Sequence, residues 1–333
     1  MQVVSGQPTP VDKEKFFTDQ SILPITLVTE MSKIFRDKNN LKKTNRYPTR
    51  FSCIMPDSTV INEQIQTEIR GHLRRDYCYI PPLRLIFKTN DSSSSVLSPL
   101  KSLKLVNGCM LTNMYNQYVL MEYLIYKIYN LLTEKSFRVR LLEVTYIDSS
   151  GTKKPIKNYG FFIENVNEMA KRNNCREYST GRPKSETTDR KQMTLVALFQ
   201  YMIGNTDWSV TVRHNIKTII SKEDSTSRPF AVPYDFDYSG LVNTDYSIPD
   251  ANFEIKSVTE RLYRGYSRTM EELNETLALF NKQKDSIFSV INNCELLSKA
   301  NKKYMISYLE QFYDLIKNPG SVKYNFIDRA RVD

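Results

Sequence analysis

The sequence predicts an α+β chain built as two lobes. Three observations predict it. The N-terminal third is β-textured and carries one embedded helix. The C-terminal half is helical. A polar segment dense in Asp and Asn lies just past the junction between them. With 333 residues the chain is long enough for two cores, and its 40% hydrophobic and 25% charged residues suit a folded, globular protein. Tyr and Phe are too abundant, at 21 and 16, for extended disorder.

Residues 1–14 read as a leader or linker, with residues 15–164 as the first lobe and 165–333 as the second. The start, Met1-Gln2-Val3-Val4, lacks a charged region followed by a long apolar core. No intact signal peptide is therefore read there, although a mature chain cut after its signal is compatible. An extended run (Ile22 to Val28) precedes a short helical one (Glu30 to Phe35). Arg50–Met55, Thr67–Arg70 and Leu83–Phe87 read as strands, Asp91–Ser95 as a polar loop and Ser102–Val106 as a further strand.

Val119, Leu120, Tyr123, Leu124, Ile128 and Leu131 follow helical spacing and predict a helix over Gln117–Leu132. Val139–Ile147 and Tyr159–Ile163 predict a strand pair across the Asp148-Ser149-Ser150-Gly151 turn. A short helix over 165–173, a polar insert over 174–189 and a strong helix over 190–203 follow. Beyond the irregular stretch 204–215 come strands at 216–220 and 230–233, then helices at about 257–263, 267–292 and 297–317.

The net charge of +10 favours acidic partners, but the basic residues are scattered in short clusters such as Lys42-Lys43 and Arg74-Arg75. No long basic tract with interleaved aromatics exists, which argues against a nucleic-acid groove. No apolar run is long enough for a membrane span. The five cysteines form no CxxC pair, so a structural zinc site is not expected. Their odd number leaves at least one thiol outside any intrachain bridge. Both free thiols and one or two disulfides fit. With only His72 and His214 present, a His-rich metal site is excluded.

Two segments could carry chemistry. Gly204-Asn205-Thr206-Asp207-Trp208 through His214-Asn215 places a carboxylate and a carboxamide on one loop after a helix. Val232-Pro233-Tyr234-Asp235-Phe236-Asp237 places two carboxylates at the end of a short apolar strand. Phosphoryl transfer uses such an inventory, because magnesium takes hard oxygen ligands and leaves positions for phosphate. Ordinary turn chemistry explains each segment taken singly. Trp208 is read as packing behind the loop, and Tyr304, Tyr308 and Tyr313 as helix packing.

These residues resemble the CotH kinase family, whose hallmark is an Asn-x-Asp loop ending in His-Asn, followed by a Pro-Trp-Asp-x-Asp element. Here the elements stand as Asn205-Thr206-Asp207, His214-Asn215 and Pro233-Tyr234-Asp235-Phe236-Asp237, with Tyr234 in place of the Trp. Ile69-Arg70-Gly71, Pro82–Phe87, Lys104-Leu105-Val106 and Tyr159–Glu164 follow in family order, so the resemblance spans about residues 15–265.

It implies a two-lobed protein-kinase-like fold and a transferase passing phosphate from Mg-ATP, or Mn-ATP, to a hydroxyl of a protein or glycan acceptor. It implies Asp207 as the catalytic Asp, Asn215 and Asp235 as metal ligands with Asp237 as the alternative, and Glu122 pairing with a basic strand residue. That basic residue is Arg84, with Lys88 and Lys104 as rivals. Glu164 would sit near the nucleotide. It also implies a bacterial, extracytoplasmic setting. The family's strand Lys is replaced by Arg84, and no Gly-rich phosphate loop is visible. A catalytically silent scaffold that binds a partner protein or surface glycan is the rival reading.

Overall fold

The computed structural model describes residues 10–39, 45–71, 73–87, 96–224 and 226–332. His72, Lys88, the 91–95 loop and the first nine residues of the expected leader lie outside them. The chain divides into two compact units. One comprises residues 1–119 and 138–165, the other 120–137 and 166–333.

The first unit is a closed barrel. Its strands are β1 (Leu23–Thr29), β2 (Arg46–Ile54), β3 (Val60–Ile69), β4 (Leu83–Ile86), β5 (Ser102–Asn107), β6 (Val139–Asp148) and β7 (Ile156–Ile163). They are ordered β1-β2-β3-β4-β5-β7-β6. Every pairing is antiparallel except the one that closes the ring, where β1 runs parallel to β6 with Leu23 opposite Leu142.

Closure overturns the expected protein-kinase-like, two-lobed fold. The extended run read at Ile22–Val28 joins β2 on one side and β6 on the other. The first unit is a closed seven-stranded barrel instead of a kinase-type lobe, and the second carries a three-stranded sheet of its own. The decisive β1–β6 pairing joins residues over a hundred positions apart, and local periodicity holds no record of it.

Alternation along the strands fills the barrel. Leu23, Ile25 and Leu27 of β1, Tyr47, Phe51 and Cys53 of β2, and Leu142, Val144 and Tyr146 of β6 are buried in one cluster with Phe162 of β7. Each such side chain contributes about 1.5–3 kcal/mol by leaving water. A buried hydrogen bond of 2.8 Å from the Thr49 hydroxyl to that of Thr67 links β2 and β3.

Helix α1 (Lys13–Thr18) falls at the end of the expected leader. Asp12 caps it, and it buries Phe16 and Phe17 in the barrel cluster. Helices α2 (Met31–Asp37) and α3 (Leu73–Tyr77) complete the unit, together with the start of α4 (Asn113–Leu132). A disulfide joins Cys78 and Cys109, while Cys53, Cys175 and Cys294 are free. The β6–β7 turn forms where the Asp148–Gly151 signal predicts it. The Ser150 hydroxyl, then those of Thr152 and Ser32, donate to the Asp148 carboxylate and hold its pKa well below the usual range.

The second unit contains the rest of α4, then α5 (Val166–Arg172), β8 (Cys175–Glu177), α6 (Arg190–Met202), β9 (Ile216–Ser221), β10 (Phe230–Pro233), α7 (Met270–Asn292), α8 (Lys299–Ile316) and α9 (Pro319–Lys323). Its sheet has the order β10-β9-β8. The third strand, β8, lies inside the expected polar insert. It forms because Cys175 registers against Ser221, not through any apolar run of its own.

Helix α6 is buried continuously from Gln192 to Met202, as a helix enclosed on all sides must be. Phe199 stacks with Tyr129 at 4.4 Å and with Phe236 at 5.7 Å between ring centres. Helices α7 and α8 are amphipathic. They bury Leu273, Leu277 and Phe280 on one and Met305, Leu309 and Phe312 on the other. The Tyr313 hydroxyl donates to the Phe280 carbonyl, and Tyr308 is likewise buried, in keeping with a packing role for the tail tyrosines.

The helix expected at 257–263 is absent, and among the described residues after α6 no helix begins before Met270. Tertiary hydrogen bonds override the local preference. Arg261 donates to the Met202 and Tyr308 carbonyls, and Arg264 donates to those of Thr206 and Trp208.

Candidate functional site

The polar loop begins where α6 ends. Gly204 takes a φ of +65°, a conformation that glycine adopts without the Cβ penalty. Asn205, almost fully buried, donates to the Gln200 side chain and accepts the Asp207 N–H at 3.0 Å. Its carbonyl accepts the Trp208 indole N–H at 3.2 Å. Trp208 is buried, so its body packs behind the loop as expected. Reciprocal main-chain bonds between Ser209 and His214, both 2.9 Å, fold 209–214 into a tight return.

That return brings His214 back to Asp207. The His214 Nε2 lies 2.7 Å from Asp207 Oδ1, and the Asn215 Nδ2 donates to Asp207 Oδ2 and to its carbonyl, both at 2.9 Å. Both carboxylate oxygens of Asp207 are thereby held, while its side chain stays 35% exposed and open to a ligand.

The second segment is joined to the first at both ends. The Tyr234 N–H donates to the Asn215 carbonyl, Gly240 N–H to the Gly204 carbonyl and Leu241 N–H to the Ile203 carbonyl, each at 3.0 Å. Asn215 and Asp235 both have left-handed backbones, with φ of +52° and +65°, and Asn and Asp tolerate this better than other side-chain-bearing residues. Helix α4 braces the segment from behind. Asp235 N–H donates to the Tyr126 hydroxyl at 2.8 Å and Phe236 N–H to the Glu122 carboxylate at 3.4 Å.

Asp235 and Asp237 differ in employment. Asp237 is buried, accepts the Tyr246 hydroxyl at 3.0 Å and receives the Thr244 hydroxyl on its carbonyl, so it pins the following loop. The half-buried Asp235 carboxylate makes no side-chain hydrogen bond among the described residues. The Asn215 amide uses its nitrogen on Asp207, which leaves Oδ1 as an acceptor. Hard oxygen donors of this kind suit magnesium. Among the described residues, no group of three or more His, Cys, Asp or Glu side chains is arranged to hold a metal, so any such site depends on the Asn215 amide, phosphate or water.

Asp207 and His214 open onto a cleft of about 410 Å³ within the second unit, bounded also by Trp208, Tyr238, Phe253 and Arg264. The Arg264 guanidinium lies 4.5 Å from the Phe253 ring centre and 5.3 Å from that of Trp208. Burial, and next the neighbouring Arg331, lower its pKa to about 10, so it stays charged at neutral pH. Sequence reasoning missed Arg264, which lies more than fifty residues beyond the loop whose carbonyls it holds, and no local signal marks it.

The remaining expected nucleotide contacts belong to the barrel unit. Arg84 on β4 pairs with Glu68 at 3.2 Å. Lys104 on β5 sits opposite Arg84 in the sheet register. Glu164 is buried and accepts the Arg138 N–H at 3.0 Å. Lys88 lies outside the described residues.

No protein-family model matches the chain, and no curated protein matches it significantly.

Proposed function

We propose that the Asp207, Asn215 and Asp235 site transfers phosphate from magnesium-bound ATP to a hydroxyl of a protein or glycan acceptor. The observation that carries this reading is the clamped Asp207 carboxylate, hydrogen-bonded to Asn215 and joined through the Asn215–Tyr234 bond to the strand end that presents Asp235. The motif resemblance to CotH kinases supports the chemistry.

In this reading His214 and Asn215 fix the orientation of Asp207, whose carboxylate accepts the hydrogen of the acceptor hydroxyl. The hydroxyl oxygen bonds to the γ-phosphorus as the bond from that phosphorus to the ADP leaving oxygen breaks. The proton passes to Asp207. Asn215 Oδ1 and the Asp235 carboxylate would hold magnesium, which when bound neutralises charge on the phosphates. The buried Cys78–Cys109 disulfide supports an extracytoplasmic location, where such bonds persist.

A second reading, a scaffold that binds a partner without turnover, draws on the cleft's lip. Val212 and Ile248 are 74% and 75% exposed there, and exposed apolar side chains beside a cleft suit an interaction surface.

Melting-temperature shifts with Mg-ATP separate the two readings. Nucleotide at about 100 times its dissociation constant stabilises by about 2.7 kcal/mol. The transferase reading expects a shift in the wild type that Asp235→Ala abolishes. The absence of any shift with ATP, ADP or GTP, with magnesium or manganese, would overturn it and leave the scaffold.

A further inference from the structure

A second cavity, of about 250 Å³, lies within the barrel unit, far along the sequence from the Asp207 loop. Its deepest polar group is Arg140 on β6, a side chain only 1% exposed. The two terminal nitrogens of Arg140 are used. Nη1 donates to the Phe16 and Asp19 carbonyls and pairs with the Asp19 carboxylate at 3.0 Å, while Nη2 donates to the Ser21 hydroxyl. Its Nε–H is buried and has no partner among the described residues. A buried cationic donor left unsatisfied is costly, and an acceptor that reached it, from water or from a ligand, would remove that cost.

The other polar groups of the wall show what that group must offer. The three carboxylates are engaged by their own loops. Asp12 accepts the Glu14 and Lys15 N–H groups, Asp19 accepts the Ser21 N–H and hydroxyl besides Arg140, and Asp57 accepts the Thr59 N–H. Lys15 stands exposed at the cavity, and its ammonium makes no hydrogen bond or ion pair among the described residues. One oxygen of each carboxylate is thus held by its own loop and Lys15 acts on Asp57 only through its charge, while the Arg140 Nε–H keeps no partner among the described residues. The remaining surface is apolar, from Val11, Phe16, Met55, Ile61 and Val96.

We propose that this cavity binds a small apolar carboxylate, such as a medium-chain fatty acid. Its oxygens accept hydrogen bonds from Arg140 Nε and Lys15, and its hydrocarbon packs on Phe16, Ile61 and Val96. Apolar walls with a few convergent polar groups are the usual make-up of small-molecule sites, and a charge-assisted bond to a carboxylate is the strong form of such a contact.

Isothermal titration of the full chain with straight-chain carboxylates, from hexanoate to dodecanoate, tests this. The corresponding primary alcohols serve as the neutral control. The expected result is saturable one-to-one binding with an optimum chain length and markedly weaker binding of the alcohols. Lys15→Ala should weaken binding about tenfold, the loss of one charge-assisted contact. Met55→Trp, which fills the cavity from its half-buried rim, should abolish it. Both substitutions lie away from the buried pairings of Arg140, and melting curves establish that both variants fold. The proposal is overturned if no member of the series saturates, if alcohols bind as tightly as carboxylates, or if either variant keeps wild-type affinity.

Discussion

Asn215 donates its side-chain amide to both the Asp207 carboxylate and the Asp207 carbonyl, at 2.9 Å each, from a backbone with a φ of +52°. One residue thus sets the loop's shape and the orientation of its carboxylate. The two contributions separate by substitution. Asn215→Gly keeps the left-handed backbone inexpensive and loses the hydrogen bonds. Asn215→Ala loses both. Urea titration should find the alanine variant less stable than the glycine variant by about 1 kcal/mol. Equal stabilities would show that backbone strain plays no part.

Gly204 and Tyr308 meet in the same region. A Cβ on Gly204 would lie 2.0 Å from the Tyr308 hydroxyl oxygen, and one on Gly240 would lie 2.5 Å from it. Gly204→Ala should therefore destabilise by about 2–3 kcal/mol, from overpacking added to a positive φ. Tyr308→Phe removes the clashing oxygen, so the double variant should lose less than the sum of the single losses. Strict additivity in a double-mutant cycle would refute the contact as the cause.

The Cys78–Cys109 bridge closes a sequence separation of 31 within the barrel unit. Replacing both cysteines with serine should cost about 3 kcal/mol, chiefly by freeing the unfolded chain. Differential scanning calorimetry with and without reductant measures this. A melting temperature indifferent to reductant, with five thiols titrating after denaturation without reductant, would show that the bridge does not form.

Glu272 closes a reciprocal cap with Thr269 at the start of α7 and pairs with Arg190. Hydrogen bonding to Arg190, and then to the Thr269 N–H, lowers its pKa to about 2. An unfolded-state glutamate titrates near about 4.3, so the folded state favours the ionised form. The stabilisation is complete above that value and fades as pH falls through about 2. Glu272→Gln should cost about 1 kcal/mol at neutral pH, an amount limited by solvent screening of a partly exposed pair. The difference from wild type should shrink across the same acid window in pH-dependent urea melts. A gap that is constant with pH would place the effect in packing rather than charge.

Much of the candidate site was legible because its chemistry is contiguous. Asp207, His214 and Asn215 sit within nine residues, and Asn-Thr-Asp turn propensity alone predicts a loop after α6. The strand pair at 216–221 and 230–233 follows from β-branched runs flanked by polar turns, and it delivers Asp235 to the end of β10 beside Asn215. Arg264 and the bracing of Asp235 by Tyr126 were not legible, since both depend on partners more than fifty residues away. Nor could spacing separate Asp235 from Asp237. That distinction lies in the Tyr246 hydroxyl, which engages Asp237.

By itself, the sequence determined where most strands and helices form and which polar loop gathers carboxylates, because side-chain periodicity and turn chemistry act over a few residues. Tertiary structure alone decided that the N-terminal strands close into a barrel, that Cys175–Glu177 joins a second sheet and that 257–263 stays irregular. Each of those outcomes rests on hydrogen bonds between distant segments: β1 with β6, β8 with β9, and Arg261 and Arg264 with remote carbonyls. Such bonds form only once the chain has met the entropic cost of bringing those segments together, and no local pattern encodes which partner they will find.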